Sequence, residues 1–320
     1  MVAIALVPAA SASFAVVGAN GGDGEAYEQY VATDAMNASV RITMSGNTYG
    51  SGGLFHVGTS TVNNETYLNL CFATADHVVR PGTIDELKFQ GSTDKWDLVP
   101  GGLWQSSIVL GGADGNDDLA FVGFRAKQND LNLDFLDFVT NIALPNLATP
   151  GTGEATNYGY GSSARYLRDG NNDVSGFYWR PGFNAGGPDS NYIHHRYVKS
   201  DVTSVSNNAY SIYDFEAIKW QVSNATEFGG INQGDSGGMI LQNGNFVGVN
   251  SYNTYIEGND LNGLYRIYEL GSNQGGNAFT QANIDWLNGR CMDFEAVPEP
   301  GTLALGAGLA ALALRRRNRG

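Results

Sequence analysis

Short runs of alternating apolar and small or polar residues, each closed by glycine or asparagine, recur along most of this 320-residue chain and leave little room for helix. Ser39-Val40-Arg41-Ile42-Thr43-Met44, Phe121-Val122-Gly123-Phe124 and Phe246-Val247-Gly248-Val249 are examples. A period of two puts alternate side chains on opposite faces of a pleated strand, so these segments are predicted as half-buried strands bounded by turns. The 43 glycines, with many Asn, Ser, Thr, Tyr and Phe, supply both turns and strand formers. The expected class is all-β, and the length suffices for one large core or two smaller ones. The clearest helix runs from Thr280 to Leu287, with Thr280 as N-cap and Gly289 just past the C-terminus. Residues 150–210, rich in Gly, Asn, Asp and Tyr, are expected to hold long surface loops between strands.

Formal net charge is −14, and four of the 18 basic residues crowd into the last six positions, so residues 1–314 carry −18. Such a body repels phosphates, which argues against a nucleic-acid partner. Cys71 and Cys291 are too few for a disulfide framework and wrongly spaced for zinc, leaving one bridge or two free thiols. Asp169, Asn171 and Asp173 alternate as calcium-loop ligands do, but the glycine such a loop needs is missing. No metal and no cofactor are expected.

Both ends read as export signals. Residues 2–12 form a short apolar stretch ending in Ala10-Ser11-Ala12, a small-residue pattern that signal peptidase accepts, although no Lys or Arg precedes it. Residues 1–15 are therefore expected to be a signal peptide. At the other end, Val297-Pro298-Glu299-Pro300-Gly301-Thr302 leads into an uncharged stretch, residues 301–314, and then Arg315-Arg316-Arg317-Asn318-Arg319. An apolar segment of that length is short of the roughly 20 residues a stable span needs, but it suits a transient stop flanked by basic residues. Residues 297–320 closely resemble the PEP C-terminal sorting signal of Gram-negative bacteria. That resemblance implies a membrane-embedded sorting enzyme, an exosortase, as partner, cleavage at Pro-Glu-Pro, and delivery to the surface or medium after transient anchoring.

Chemistry concentrates at three points. Acyl transfer by a serine needs an exposed hydroxyl, a histidine to take its proton, a carboxylate to orient that histidine, and N–H donors for the oxyanion. Gly234-Asp235-Ser236-Gly237-Gly238 sets Ser236 among glycines, with the amides of Gly234 and Ser236 as oxyanion donors. Phe72-Ala73-Thr74-Ala75-Asp76-His77-Val78-Val79 offers His77 as base after an apolar run. Asp118-Leu119-Ala120-Phe121-Val122 offers Asp118 at a strand entrance; Asp117 is its rival, and Asp114, Asn116 and Asp117 would form a polar loop. His56 reads as a strand residue, and His194 and His195 as solvent-exposed.

All three blocks resemble the chymotrypsin/trypsin family, and the first matches its nucleophile motif in full. The order His77, Asp118, Ser236 is the chymotrypsin order. His77 and Asp118 lie 41 residues apart, close to the roughly 45 of that pattern. Asp118 and Ser236 lie 118 apart, roughly 25 more than the pattern, an excess assigned to surface loops. Tyr49-Gly50-Ser51-Gly52-Gly53-Leu54 resembles the strand upstream of the base, Gly248-Val249-Asn250-Ser251-Tyr252 the substrate-binding segment, and Asn283-Ile284-Asp285-Trp286-Leu287 the C-terminal helix. Asp76 departs from the small residue usual there.

The resemblance implies two six-stranded antiparallel β-barrels with a short C-terminal helix, a protease domain over residues 16–290, and a serine endopeptidase acting as a monomer on protein or peptide substrates. It makes Ser251 the neighbour of the Asp118 carboxylate, sets Ser251 and Asn253 along the substrate backbone, and puts Gly230 on the floor of the specificity pocket, where glycine implies cleavage after apolar or aromatic residues. Glu257 or Asp260 could reach in and reverse that preference. It offers Val16, in Val16-Val17-Gly18-Ala19, as a mature N-terminus pairing with Asp235, and it sets Cys71 near Cys291, within reach of a bridge. The competing reading is a catalytically silent protease-fold protein that binds extracellular polysaccharide.

Overall fold

The computed structural model describes residues 37–45, 48–80, 82–89, 96–161, 165–168, 174–179, 196–221, 231, 234–253, 256–260, 263–269 and 273–296. Strands dominate it. The first half is a seven-stranded antiparallel sheet in the order β5-β4-β1-β2-β3-β7-β6. Its members are β1 (Ser39–Met44), β2 (Thr48–Val62), β3 (Glu65–Thr74), β4 (Ile84–Phe89), β5 (Trp96–Leu98), β6 (Gln105–Leu110) and β7 (Ala120–Lys127). The second half closes a six-stranded barrel, β11-β12-β17-β14-β13-β8. Its strands are β8 (Gly153–Gly159), β11 (Arg196–Tyr210), β12 (Tyr213–Gln221), β13 (Met239–Gln242), β14 (Asn245–Asn253) and β17 (Asn273–Ala278). The arrangement fits the two-barrel, chymotrypsin-like expectation, with seven strands in the first sheet because the three-residue β5 adds to the edge of β4.

Residues 150–210 contain strands, and the stretches between them, 162–164, 169–173 and 180–195, lie outside the described residues. Those strands are β8, the 15-residue β11, and two, β9 (Arg165–Arg168) and β10 (Val174–Trp179), of a separate four-stranded sheet completed by β15 (Ile256–Asp260) and β16 (Gly263–Glu269). The Gly and Asn content masked the Tyr, Phe, Trp and Val residues that form strands there.

Aromatic packing builds the first core. Phe72 lies against Phe89 and Phe124, with ring centroids 5.9 and 6.2 Å away. Phe135, on a short helix α2 (Leu133–Thr140), joins Phe89, Trp96 and Trp104. Phe121 to Phe124 are fully buried rather than half-buried, since β7 runs between β3 and β6 and packs on the C-terminal helix. Met239, Leu241, Phe246 and Phe279 of the barrel belong to the same apolar cluster as the sheet. Gly53 permits that approach, because a Cβ there would lie 2.2 Å from Met239 and 2.8 Å from Phe246. Each such buried side chain contributes roughly 2 kcal/mol, so the shared cluster holds sheet and barrel together.

The C-terminal helix, α3, spans Gln281–Ala296, twice the predicted length. Thr280 caps it as expected, its hydroxyl accepting from the Asn283 amide at 3.1 Å. Gly289 lies inside the helix instead of ending it. Burial of Cys291 and contact of Phe294 with Phe121 carry the helix past a residue that local propensity would make its end. Cys71 in β3 and Cys291 in α3 form a disulfide with Cα atoms 5.9 Å apart.

Candidate active site

Register brings His77 to Asp118. Thr74, the last residue of β3, pairs with Ala120, the first of β7. His77 follows the end of β3 and Asp118 precedes the start of β7, so both emerge at one sheet end. His77 sits in a four-residue helix, α1 (Asp76–Val79), that turns the chain sharply after Ala75. Asp118 is completely buried, and the apolar run Leu119 to Val122 behind it holds the strand entrance in place. His77 Nδ1 lies 2.8 and 3.0 Å from the two carboxylate oxygens, and its backbone N–H donates to Asp118 Oδ1 at 3.0 Å. Ser251 donates its hydroxyl to Asp118 Oδ2 from β14. The carboxylate is thus surrounded by donors and fixes the imidazole with Nε2 free to face outward.

Burial alone would depress the His77 pKa, but the hydrogen bond and charge of Asp118, with the charge of Asp76, outweigh it and the net shift is upward. The side chain remains one-third exposed. Asp117, the rival carboxylate, does not touch His77. It is buried, and desolvation raises its pKa to about 6, with Asp114 and Asp214 adding to the rise against hydrogen bonds from Asn283 and Ala113.

Ser236 comes from the barrel. Met239 pairs with Val249 in the β13–β14 hairpin, which returns Asn250 and Ser251 alongside the serine turn. Gly237 N–H donates to Asn250 O at 2.7 Å, and Asn250 N–H returns a bond to Gly238 O. Ser51 ties the turn to the sheet: its N–H donates to Ser236 O at 2.8 Å and its hydroxyl to Gly234 O at 2.8 Å. Gly234 and Gly237 have φ of +94° and +82°, left-handed values that favour glycine. A Cβ on Gly237 would lie 2.0 Å from Thr74 Oγ1 and 2.9 Å from Ala75 N, so the serine turn packs directly on the residues leading to His77. Among the described residues the amides of Gly237 and Gly238 are spent on internal bonds, while those of Gly234 and Ser236 donate to none. No hydrogen bond joins the Ser236 hydroxyl to the His77 ring; such contacts are often looser before substrate binds.

Of the other expected site residues, Asn253 donates to Ile231 O at 2.7 Å from the end of β14. Asp235 is buried and accepts from Gly161 N–H at 2.6 Å. Val16, Gly230, His194 and His195 lie outside the described residues, as do residues 1–15, the Asp169 to Asp173 stretch and the apolar tail. Glu257 is described and exposed on β15. His56 is a strand residue of β2, 3.0 Å from Glu295 of α3. Together with Cys291 these could in principle hold a metal ion, but that sulfur is committed to the disulfide and offers no thiolate.

Asp76, which departs from the expected small residue, and two residues with no assigned role, Arg80 and Tyr213, also converge here. Asp76 is completely buried, held by Arg80 through Nε at 2.5 Å and Nη2 at 2.7 Å, and by the Tyr213 hydroxyl at 3.1 Å. The spacing of Asp76 and Arg80, one helical turn apart, was a legible signal. Tyr213 gave none, since nothing local marks a residue that matters only across the barrel boundary.

The end of the chain identifies itself by sequence. Residues 296–317 match the PEP-CTERM protein-sorting motif. The motif implies recognition by an exosortase, export, and a surface or extracellular destination. Among the described residues no helix is long and apolar enough to cross a membrane. The chain matches no curated protein. Among solved structures it is similar to the protease Anisep from Arthrobacter nicotinovorans, at 14% identity over 79% of this chain and 94% of that one, with a TM-score of 0.43. A likeness that loose carries no argument about chemistry.

Proposed function

We propose that the chain is an exported serine endopeptidase of the trypsin/chymotrypsin kind, with Ser236 as nucleophile, His77 as base and Asp118 as its orienting carboxylate. The observation that carries the reading is the buried Asp118, whose Oδ2 lies 2.8 Å from His77 Nδ1 and also accepts from the Ser251 hydroxyl. A carboxylate so placed selects the tautomer in which Nε2 accepts a proton and stabilises the imidazolium that results.

In this mechanism Ser236 Oγ attacks the scissile carbonyl as its proton passes to His77 Nε2. The N–H groups of Gly234 and Ser236 receive the oxyanion. His77 then gives the proton to the leaving amine, and water, activated by the same nitrogen, hydrolyses the acyl-enzyme. β14 would lay substrate backbone along Ser251 to Asn253. Gly230 would leave the pocket floor neutral and favour apolar or aromatic side chains, and Val16 would pair with Asp235 if the mature chain begins there. A peptide panel cut fastest after Arg or Lys would overturn the first of these, and N-terminal sequencing checks the second.

The test of the core reading is labelling by a fluorophosphonate. The intact chain should label at Ser236, and Ser236→Ala should abolish both labelling and peptide hydrolysis. Replacing His77 by Ala should lower kcat by on the order of 10⁶, and Asp118→Asn by on the order of 10⁴. Hydrolysis that survives in Ser236→Ala would refute the assignment.

A further inference from the structure

The base and the nucleophile stand on different halves of the molecule: His77 follows a strand of the sheet, and Ser236 precedes a strand of the barrel. Their alignment therefore depends on what locks the two halves together near the histidine. The two-residue turn Ser211-Ile212 joins β11 to β12, and the residues just after it reach across to the sheet. Tyr213 donates its hydroxyl to Asp76 Oδ1 at 3.1 Å, and Asp214 N–H donates to Asn116 O at 3.1 Å. Asp76 immediately precedes His77, and Asn116 lies two residues before Asp118. One barrel turn thus touches both loops of the His77–Asp118 pair.

A carboxylate is costly at the position Asp76 occupies. It is completely buried, and a buried ion pair such as Asp76 with Arg80 is often no more stabilising than apolar residues of the same shape. Arg80 also lies over the Tyr213 ring, 5.5 Å from its centroid, so cation, carboxylate and phenol form one connected group. Burial, then the charges of Asp118 and Asp76, push the Tyr213 pKa upward, which keeps its hydroxyl a donor.

We propose that Asp76 is a positioning residue: braced by Arg80 and gripped by Tyr213, it clamps the His77 turn to the barrel that carries Ser236. Its catalytic meaning rests on the serine-protease reading above. Its effect on His77 does not. The charged and titratable groups facing the ring are Asp118 from the entrance of β7 and Asp76 from the ring's own turn, with Arg80 and Tyr213 beyond Asp76.

The test uses the full chain with isotopically labelled histidine, following the His77 ring by NMR across pH beside the kinetics. Asp76→Asn removes a neighbouring negative charge and should lower the His77 pKa by about one unit, carrying the acid limb of kcat/KM with it. Tyr213→Phe keeps the ring and the fold; it should speed exchange of the His77 Nδ1 proton and lower kcat, each about tenfold, with KM unchanged. Should Asp76→Asn fail to fold, the phenylalanine variant carries the test alone. A His77 titration unmoved in folded Asp76→Asn, or wild-type proton exchange in Tyr213→Phe, overturns the clamp. The predicted NMR changes in a chain that hydrolyses nothing would uphold the clamp and refute the protease.

Discussion

Reduction of the Cys71–Cys291 bond should destabilise the fold by an amount that follows from where the bond lies. The bridge closes a loop of 220 residues and joins β3, six residues before His77, to the third turn of α3. In the chain-entropy treatment a loop of that length removes about 5 kcal/mol of freedom from the unfolded chain. Loss of native contacts adds little to this, because the helix remains docked through Ile284, Leu287 and Phe294, and Arg125 donates to Phe294 O. With a guanidinium slope of about 5 kcal/mol/M for a chain this size, the unfolding midpoint should fall by about 1 M. Tryptophan fluorescence of oxidised and reduced protein through a denaturant series measures it, with thiol counts confirming the redox state. A shift below about 0.2 M would refute the loop-entropy reasoning. So would an early, separate transition confined to α3, which would make the bond a local staple. An oxidising destination is what such a bond requires, and the sorting motif at residues 296–317 implies one.

Four further perturbations probe the site. Ser251→Ala removes a donor to buried Asp118, and a hydrogen bond to a charged group of this kind makes a fall in kcat of about tenfold or more the expected outcome in steady-state kinetics. Because the His77 pKa is raised, activity should climb as pH rises through a midpoint above the ordinary histidine value of 6.5, while the stability lent by the protonated pair is complete below that value and lost over the same rise. Asp117 is raised from 3.8 to about 6, so its ionisation costs stability as pH climbs between those values. Asp117→Asn should accordingly raise the unfolding free energy by about 1–2 kcal/mol at pH 8 and leave it unchanged at pH 4. Gly237→Ala forces a side chain onto φ +82° and against Thr74, and it should abolish labelling of Ser236 through displacement of the whole turn.

Alternation of apolar residues made β1 legible to the residue, Ser39–Met44. It also located the cores of β7 and β14 as strands, because a strand's pattern is local, although Phe121–Phe124 and Phe246–Val249 are buried on both faces rather than half-buried. The sites of Ser236, His77 and Asp118 could be chosen for a related reason: each sits at the edge of an apolar strand where the next residues must turn. Choice of Asp118 over Asp117 also rested on that edge, and burial of Asp117 beneath α3 shows how little separates neighbouring positions in sequence. What stayed hidden depended on distant partners. Strands within residues 150–210 take partners far along the chain, β8 with β11 and β13 and β10 with β16, and α3 runs through Gly289 because its far end packs on β7.

The sequence by itself determined an all-β chain, an exported one by its tail, and the three side chains to consider, since strand period, tail architecture and motif spacing are properties of neighbouring residues. Tertiary structure brought Asp118 and Ser251 to His77, tied Asp76 to Tyr213 across the sheet–barrel boundary, and closed the Cys71–Cys291 bond. Each of those contacts joins residues brought together by strand register, by packing of sheet against barrel or by docking of α3 on the sheet, and no stretch of sequence contains both partners.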